Sequence, residues 1–118
     1  MTGLFYYNHT FNGHIELWDV SNVVSMGGMF YNAYKFNQPI GDWDVSNVTN
    51  MTNMFNYATS FNQPIGDWDI SNVTDMRWMF YEAKSFNQDL SKWNVKNVRF
   101  NGGMYTECPI KEEYKAKF

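Results

Sequence analysis

Apolar positions return along this chain with a period of 25 residues. The copies are "FNGHIELWDVSNVVSMGGMFYNAYK" (11–35), "FNQPIGDWDVSNVTNMTNMFNYATS" (36–60), "FNQPIGDWDISNVTDMRWMFYEAKS" (61–85) and "FNQDLSKWNVKNVRFNGGMYTECPI" (86–110). The segment "LFYYNHT" at 4–10 matches the end of a unit, "MFYNAYK" at 29–35. A partial opening repeat over 1–10 therefore precedes four full ones, and "KEEYKAKF" at 111–118 makes a polar C-terminal cap on one domain spanning 1–118. Self-similarity at a period in this range marks a repeat architecture.

Within a unit, the two middle copies show which positions face inward. Between them, six of the changes fall in the second half: Asn50/Asp75, Thr52/Arg77, Asn53/Trp78, Asn56/Tyr81, Tyr57/Glu82 and Thr59/Lys84. Val48, Met51, Met54, Phe55 and Ala58 are unchanged, at the spacing of one helical stripe. The pattern predicts a short helix over about 48–57, buried by that stripe, with Asp44 and Ser46 placed to cap its free N–H groups. In the first half, Pro39, Gly41, Pro64 and Gly66 break a helix. The alternation of Phe36 and Ile40 with polar residues fits a short strand, and Trp43–Val45 is an equal candidate.

One strand, turn and helix every 25 residues predicts an α/β repeat, a leucine-rich-repeat-like solenoid of short parallel strands and short helices. Stacking would align Phe11/36/61/86, Trp18/43/68/93, Asn22/47/72/97 and Met29/54/79/104 into ladders. Asn101, Asn94 and Lys96 replace the Met, Asp and Ser of the other units, as suits a terminal unit facing water.

The "WDVSNVTNMTNMF" stretch followed by "FNQPIGDWD", with its V-T-x-M-x-x-M-F core at 48–55 and 73–80, resembles the repeat of BspA-like leucine-rich-repeat surface proteins. The likeness covers about residues 4–110, and Cys108 stands in the place of Ala33, Ala58 and Ala83, as in the family's Cys-bearing variant. The resemblance implies a noncatalytic module for adhesion or protein binding at the cell surface or outside the cell. A stack acting only as a spacer, or a partial repeat fragment without a ligand of its own, is the alternative.

Composition narrows the chemistry further. With 19% aromatic and only 18% charged residues, the chain is too apolar to stay disordered, and a net charge of −3 gives no electrostatic footprint for nucleic acid. No apolar run approaches the length of a membrane span, and no signal-peptide pattern or anchor is visible. Cys108 is the single cysteine, which excludes an internal disulfide, and with only His9 and His14 beside it no zinc set is expected. The "DWDVSN" stretch at 42–47 loosely resembles a calcium loop but lacks its glycine and closing glutamate, and Leu17 and Lys92 replace Asp42 in the outer copies. No nucleophile, base and orienter stand out, so no enzyme, cofactor or metal is expected. The binding candidates are the outward residues of the third unit's predicted helix, Arg77, Trp78, Tyr81 and Glu82, facing a protein or other surface macromolecule.

Overall fold

A computed structural model describes residues 1–118, and in it the second half of each unit winds as a series of tight turns rather than a helix. In the second unit, the N–H groups of Met54, Asn56 and Ala58 donate to the carbonyls of Met51, Asn53 and Phe55, three residues back. The intervening groups point out of the unit: Met51, Asn53, Phe55 and Tyr57 donate to Asp75, Arg77, Met79 and Tyr81 at 2.8–3.0 Å. Backbone donors thus alternate between a turn in their own unit and the unit that follows.

Left-handed backbone sets this path. Asn53 and Tyr57 have φ of +57°, as do or nearly do Gly28 and Asn32, Trp78 and Glu82, and Gly103 and Glu107. A turned-over residue every fourth position interrupts any right-handed helix, and it places the third residue of each turn where a positive φ is required. The local composition agrees, because Asn, Thr and paired Gly are poor helix formers that favour turns.

The expected α/β solenoid of strands and helices is therefore overturned. The only helical turn is a 3-10 segment at Glu112–Tyr114, outside the units. Neither candidate strand forms. Parallel pairing is confined to the isolated bridges Ser25–Asn50, Asn50–Asp75 and Asp75–Phe100. The reason lies in what carries hydrogen bonds between units in the first half: side-chain amides in place of a backbone ladder. Asn37 donates its N–H to Asn12 Oδ1 at 2.9 Å, Asn62 to Asn37 and Asn87 to Asn62, while Gln38, Gln63 and Gln88 bond the carbonyl and amide of the same asparagines.

The capping role expected of Asp44 and Ser46 also changes. Asp44 Oδ1 accepts the N–H and the hydroxyl of Ser46 at 3.0 and 2.6 Å, closing a turn two residues long instead of a helix end. Asp19 with Ser21 and Asp69 with Ser71 repeat the arrangement.

The core runs through the units as aromatic columns. Phe5, Phe30, Phe55 and Phe80 form one column and Phe11, Phe36, Phe61 and Phe86 another, with near-parallel rings 5.5–5.9 Å apart along each column. Across the columns the pairs Phe30–Phe36, Phe55–Phe61 and Phe80–Phe86 close to 4.0–4.3 Å. Such pairs contribute about 0.5–1.5 kcal/mol each beyond the area they bury. Met26, Met51 and Met76, and Met29, Met54 and Met79, are fully buried around them. Asn47, Asn72 and Asn97 each donate Nδ2–H to the serine carbonyl one unit back at 2.7 Å.

Gly41 and Gly66 are needed where the backbone of the next unit comes close. A Cβ on Gly41 would lie 2.5 Å from the Pro64 carbonyl oxygen, and one on Gly66 would strike that of Asp89.

Candidate functional site

The four outward residues singled out from the sequence are placed on the turn segment of the third unit, not on a helix. They separate into three local groups. Arg77 and Trp78 form the first. The Arg77 guanidinium is held by Asp75, with Nη2–H donating to Oδ2 at 2.6 Å and Nε–H to Oδ1 at 3.1 Å. The same carboxylate also accepts the Arg77 backbone N–H at 3.1 Å. Burial pushes the Asp75 carboxyl up, but the arginine bonds outweigh it and leave its pKa below the ordinary value. The bonds to Asp75 raise that of Arg77.

So fixed, the guanidinium lies 4.9 Å from the centroid of the Phe100 ring and 5.7 Å from that of Trp78. These are cation–π distances. Trp78 and Phe100 are 43% and 52% exposed, so the cluster offers two aromatic surfaces and a pre-set cation to the outside.

Trp78 occupies a position that is Gly3, Gly28, Asn53 and Gly103 in the other units, and its φ is +56°. A bulky side chain there costs about 1–2 kcal/mol of backbone strain. The compensation is visible one unit on. A Cβ on Gly103 would strike the Trp78 indole, so the ring lies directly over a residue without a side chain. Burying roughly half an indole is worth about 2–3 kcal/mol, which exceeds the strain. Gly103 makes Trp78 possible.

Tyr81 belongs to a second group. Its ring centre is 5.8 Å from that of Tyr57 in the preceding unit. Towards the first unit, Tyr31 lies 5.0 Å from Tyr6 and 5.5 Å from Tyr7, and His9 stacks on Tyr34 at 4.5 Å. Burial raises the pKa of both Tyr31 and Tyr57. Glu82 sits in the third group, where Lys84 bridges it at 3.0 Å to Glu107 at 3.3 Å. No hydrogen bond or ring contact joins Arg77 or Trp78 to the side chains of Tyr81 or Glu82.

Asp75 and Phe100 are the residues the sequence reading missed. The signal was present: they share one place in the repeat with Ser25 and Asn50, and that place changes character in every unit. Reading outward residues by helical spacing hid it, because a turn segment brings position 75 beside 77.

Elsewhere, a shallow recess of about 410 Å³ is lined by Asp42, Asp67, Gln88, Asp89 and Lys92 among prolines and glycines. No three His, Cys, Asp or Glu side chains converge as a metal would require. No helix is long and apolar enough to cross a membrane. Cys108 is partly buried, which raises its thiol pKa, and its Sγ–H points at the Phe86 carbonyl at 3.5 Å.

No curated protein and no solved structure matches the chain. Residues 1–117 match the family described as "Mycoplasma protein of unknown function, DUF285", so the repeats, their turn-built units and the aromatic surface described above are those of a chain that belongs to this family.

Proposed function

We propose that the chain is a noncatalytic interaction module whose contact surface centres on Arg77 and Trp78, with a protein or another surface macromolecule as partner. One observation carries this reading: a guanidinium preset by Asp75 beside two half-exposed aromatic rings, Trp78 and Phe100. Trp and Arg are the residue types that dominate binding hot spots, and a side chain already fixed loses little entropy when a partner arrives. The finer reading, adhesion at a cell surface, draws its support from the resemblance of the V-T-x-M-x-x-M-F core to BspA-like surface proteins.

A second reading, a spacer without a ligand of its own, is favoured by a different observation. Arg77 and Trp78 already have partners within the chain, Asp75 and Gly103. The two readings separate on an array of purified, immobilised cell-surface proteins and glycans, probed with the wild type and with the double variant Arg77→Ala, Trp78→Asn. Asn is chosen because Asn53 holds the same place with the same φ. The interaction reading expects at least one binder whose affinity falls about 100-fold or more in the variant. A binder held equally by both proteins removes this face, and an array without a binder favours the spacer.

A further inference from the structure

Around Arg77 and Trp78 the acceptors all have donors, whereas two side-chain donors have no acceptor. The Asp75 carboxylate takes the backbone N–H, Nε–H and Nη2–H of Arg77. The Arg77 carbonyl accepts the Asn53 N–H at 3.0 Å, and that of Trp78 accepts the Tyr81 N–H at 3.3 Å. The Phe100 carbonyl accepts the Met76 N–H at 2.8 Å.

The donors left over are Arg77 Nη1 and Trp78 Nε1. Asp75 engages Nε and Nη2 and leaves Nη1 unbonded. The indoles of Trp43, Trp68 and Trp93 each donate to a carbonyl of the preceding unit, but that of Trp78 donates to nothing in the chain. These two donors stand beside the half-exposed rings of Trp78 and Phe100. The charge of Arg77 is balanced by Asp75 at 2.6 Å, so the face does not call for a charged ligand.

A matched partner brings acceptors, apolar rings and few donors of its own. A proline-rich segment has all three properties. Proline lacks a backbone N–H. In the polyproline II helix no carbonyl is bonded internally, so each stays free to accept. The pyrrolidine rings pack on aromatic side chains, and the preformed helix loses little entropy on docking. A sugar hydroxyl or an ordinary peptide N–H, by contrast, brings a donor that this face does not answer.

We infer that this face receives a proline-rich segment of a partner protein in the polyproline II conformation. Its rings lie on Trp78 and Phe100, and its carbonyls accept from Trp78 Nε1–H and Arg77 Nη1–H. The inference rests on the interaction role proposed for this face and adds the chemistry of the partner. Asp75 is a positioning residue: it fixes the guanidinium and touches no ligand.

The test is a titration of the nitrogen-15-labelled full chain with decaproline, up to about a millimolar, read at the indole N–H signals by nuclear magnetic resonance. The Trp78 signal is identified by its loss in Trp78→Asn, which copies Asn53 at nearly the same φ. Decaproline should move the Trp78 signal saturably and leave those of Trp43, Trp68 and Trp93 in place. Arg77→Lys keeps the charge but removes the planar fork, and should weaken binding about tenfold. A decapeptide of alternating Gly and Ser, rich in N–H donors and without rings, should leave the Trp78 signal unmoved. The inference is overturned by a Trp78 signal that decaproline does not move, by an equal response to the Gly-Ser peptide, or by undiminished binding in Arg77→Lys. It is likewise overturned if a neutral hexasaccharide such as maltohexaose moves the signal where decaproline does not. The interaction reading itself is decided separately on the array: a binder lost in Arg77→Ala, Trp78→Asn upholds the face even where decaproline fails.

Discussion

The indole N–H of Trp68 donates to the carbonyl oxygen of Ile40 at 3.0 Å, across 28 residues of sequence. Trp43 makes the same bond to Ile15 and Trp93 to Ile65, at 3.1 and 3.0 Å. Each indole is nearly buried, and each lies close to the phenylalanine columns, with Trp68 6.5 Å from Phe55. One side chain thus fills the core and ties its unit to the one before. The Ile40 carbonyl also accepts the Trp43 N–H, so losing the indole leaves it one partner. Trp68→Phe should cost about 2–3 kcal/mol, roughly 1 for the bond and the rest for the unfilled volume. Urea unfolding followed by circular dichroism reads this directly, and a change under about 0.5 kcal/mol would remove the bond from any role in stability.

A methyl group should be as damaging at Gly66, for the opposite reason. The clash is with the Asp89 carbonyl oxygen, a backbone atom that cannot swing aside. Gly66→Ala should lower stability by about 1–3 kcal/mol, as overpacking does. Gly102, which has open space at the Cβ position, is the control: Gly102→Ala should be near neutral or slightly stabilising. Paired thermal melts settle the contrast.

Acid should loosen the units through Asp19, Asp44 and Asp69. In each, the neighbouring serine hydroxyl comes first and the serine N–H second in holding the carboxyl below its usual pKa. A depressed folded pKa contributes stability that is present above the unfolded value, about 3.9, and is lost as pH falls through the lower folded value. Asn94 accepts the Lys96 N–H at 3.2 Å in the fourth unit, so an amide can close the same turn. The triple variant Asp19→Asn, Asp44→Asn, Asp69→Asn should keep its fold at pH 7 and lose part of the fall in stability below about pH 4. Denaturation midpoints between pH 2.5 and 7 should show the shallower curve; an unchanged acid slope would place the sensitivity elsewhere.

Helix content offers a direct check on the backbone path. Apart from one 3-10 turn at Glu112–Tyr114, the chain should unfold cooperatively without the far-ultraviolet signature of a helix. A spectrum with paired helical minima that melts with the core would reinstate the helix over 48–57.

The period of 25 and the inward residues were legible in the sequence because both are properties of composition at fixed spacing. Val48, Met51, Met54, Phe55 and Ala58 are buried as their pattern required. The secondary structure was not legible from that pattern. A stripe at three, three, one and three satisfies a helix, but it equally satisfies linked turns with a left-handed residue at Asn53 and Tyr57. The stronger hint was residue type: Gly27-Gly28 and Gly102-Gly103 fall inside the proposed helix, where glycine is costly. For the candidate site, the sequence showed which residues depart from the repeat, and Arg77 and Trp78 do lie together. It joined Tyr81 and Glu82 to them only because a helix would have put all four on one face.

The sequence by itself determined what is repeated: which side chains must meet their counterparts 25 residues away, and which are free to differ. Only the tertiary structure decided how the backbone would be satisfied. A backbone N–H can close a helical turn or reach the next unit, and the local sequence does not choose between them. The choice falls to the neighbouring unit, whose carbonyls of Asp75, Arg77, Met79 and Tyr81 take the bonds a helix would have kept for itself.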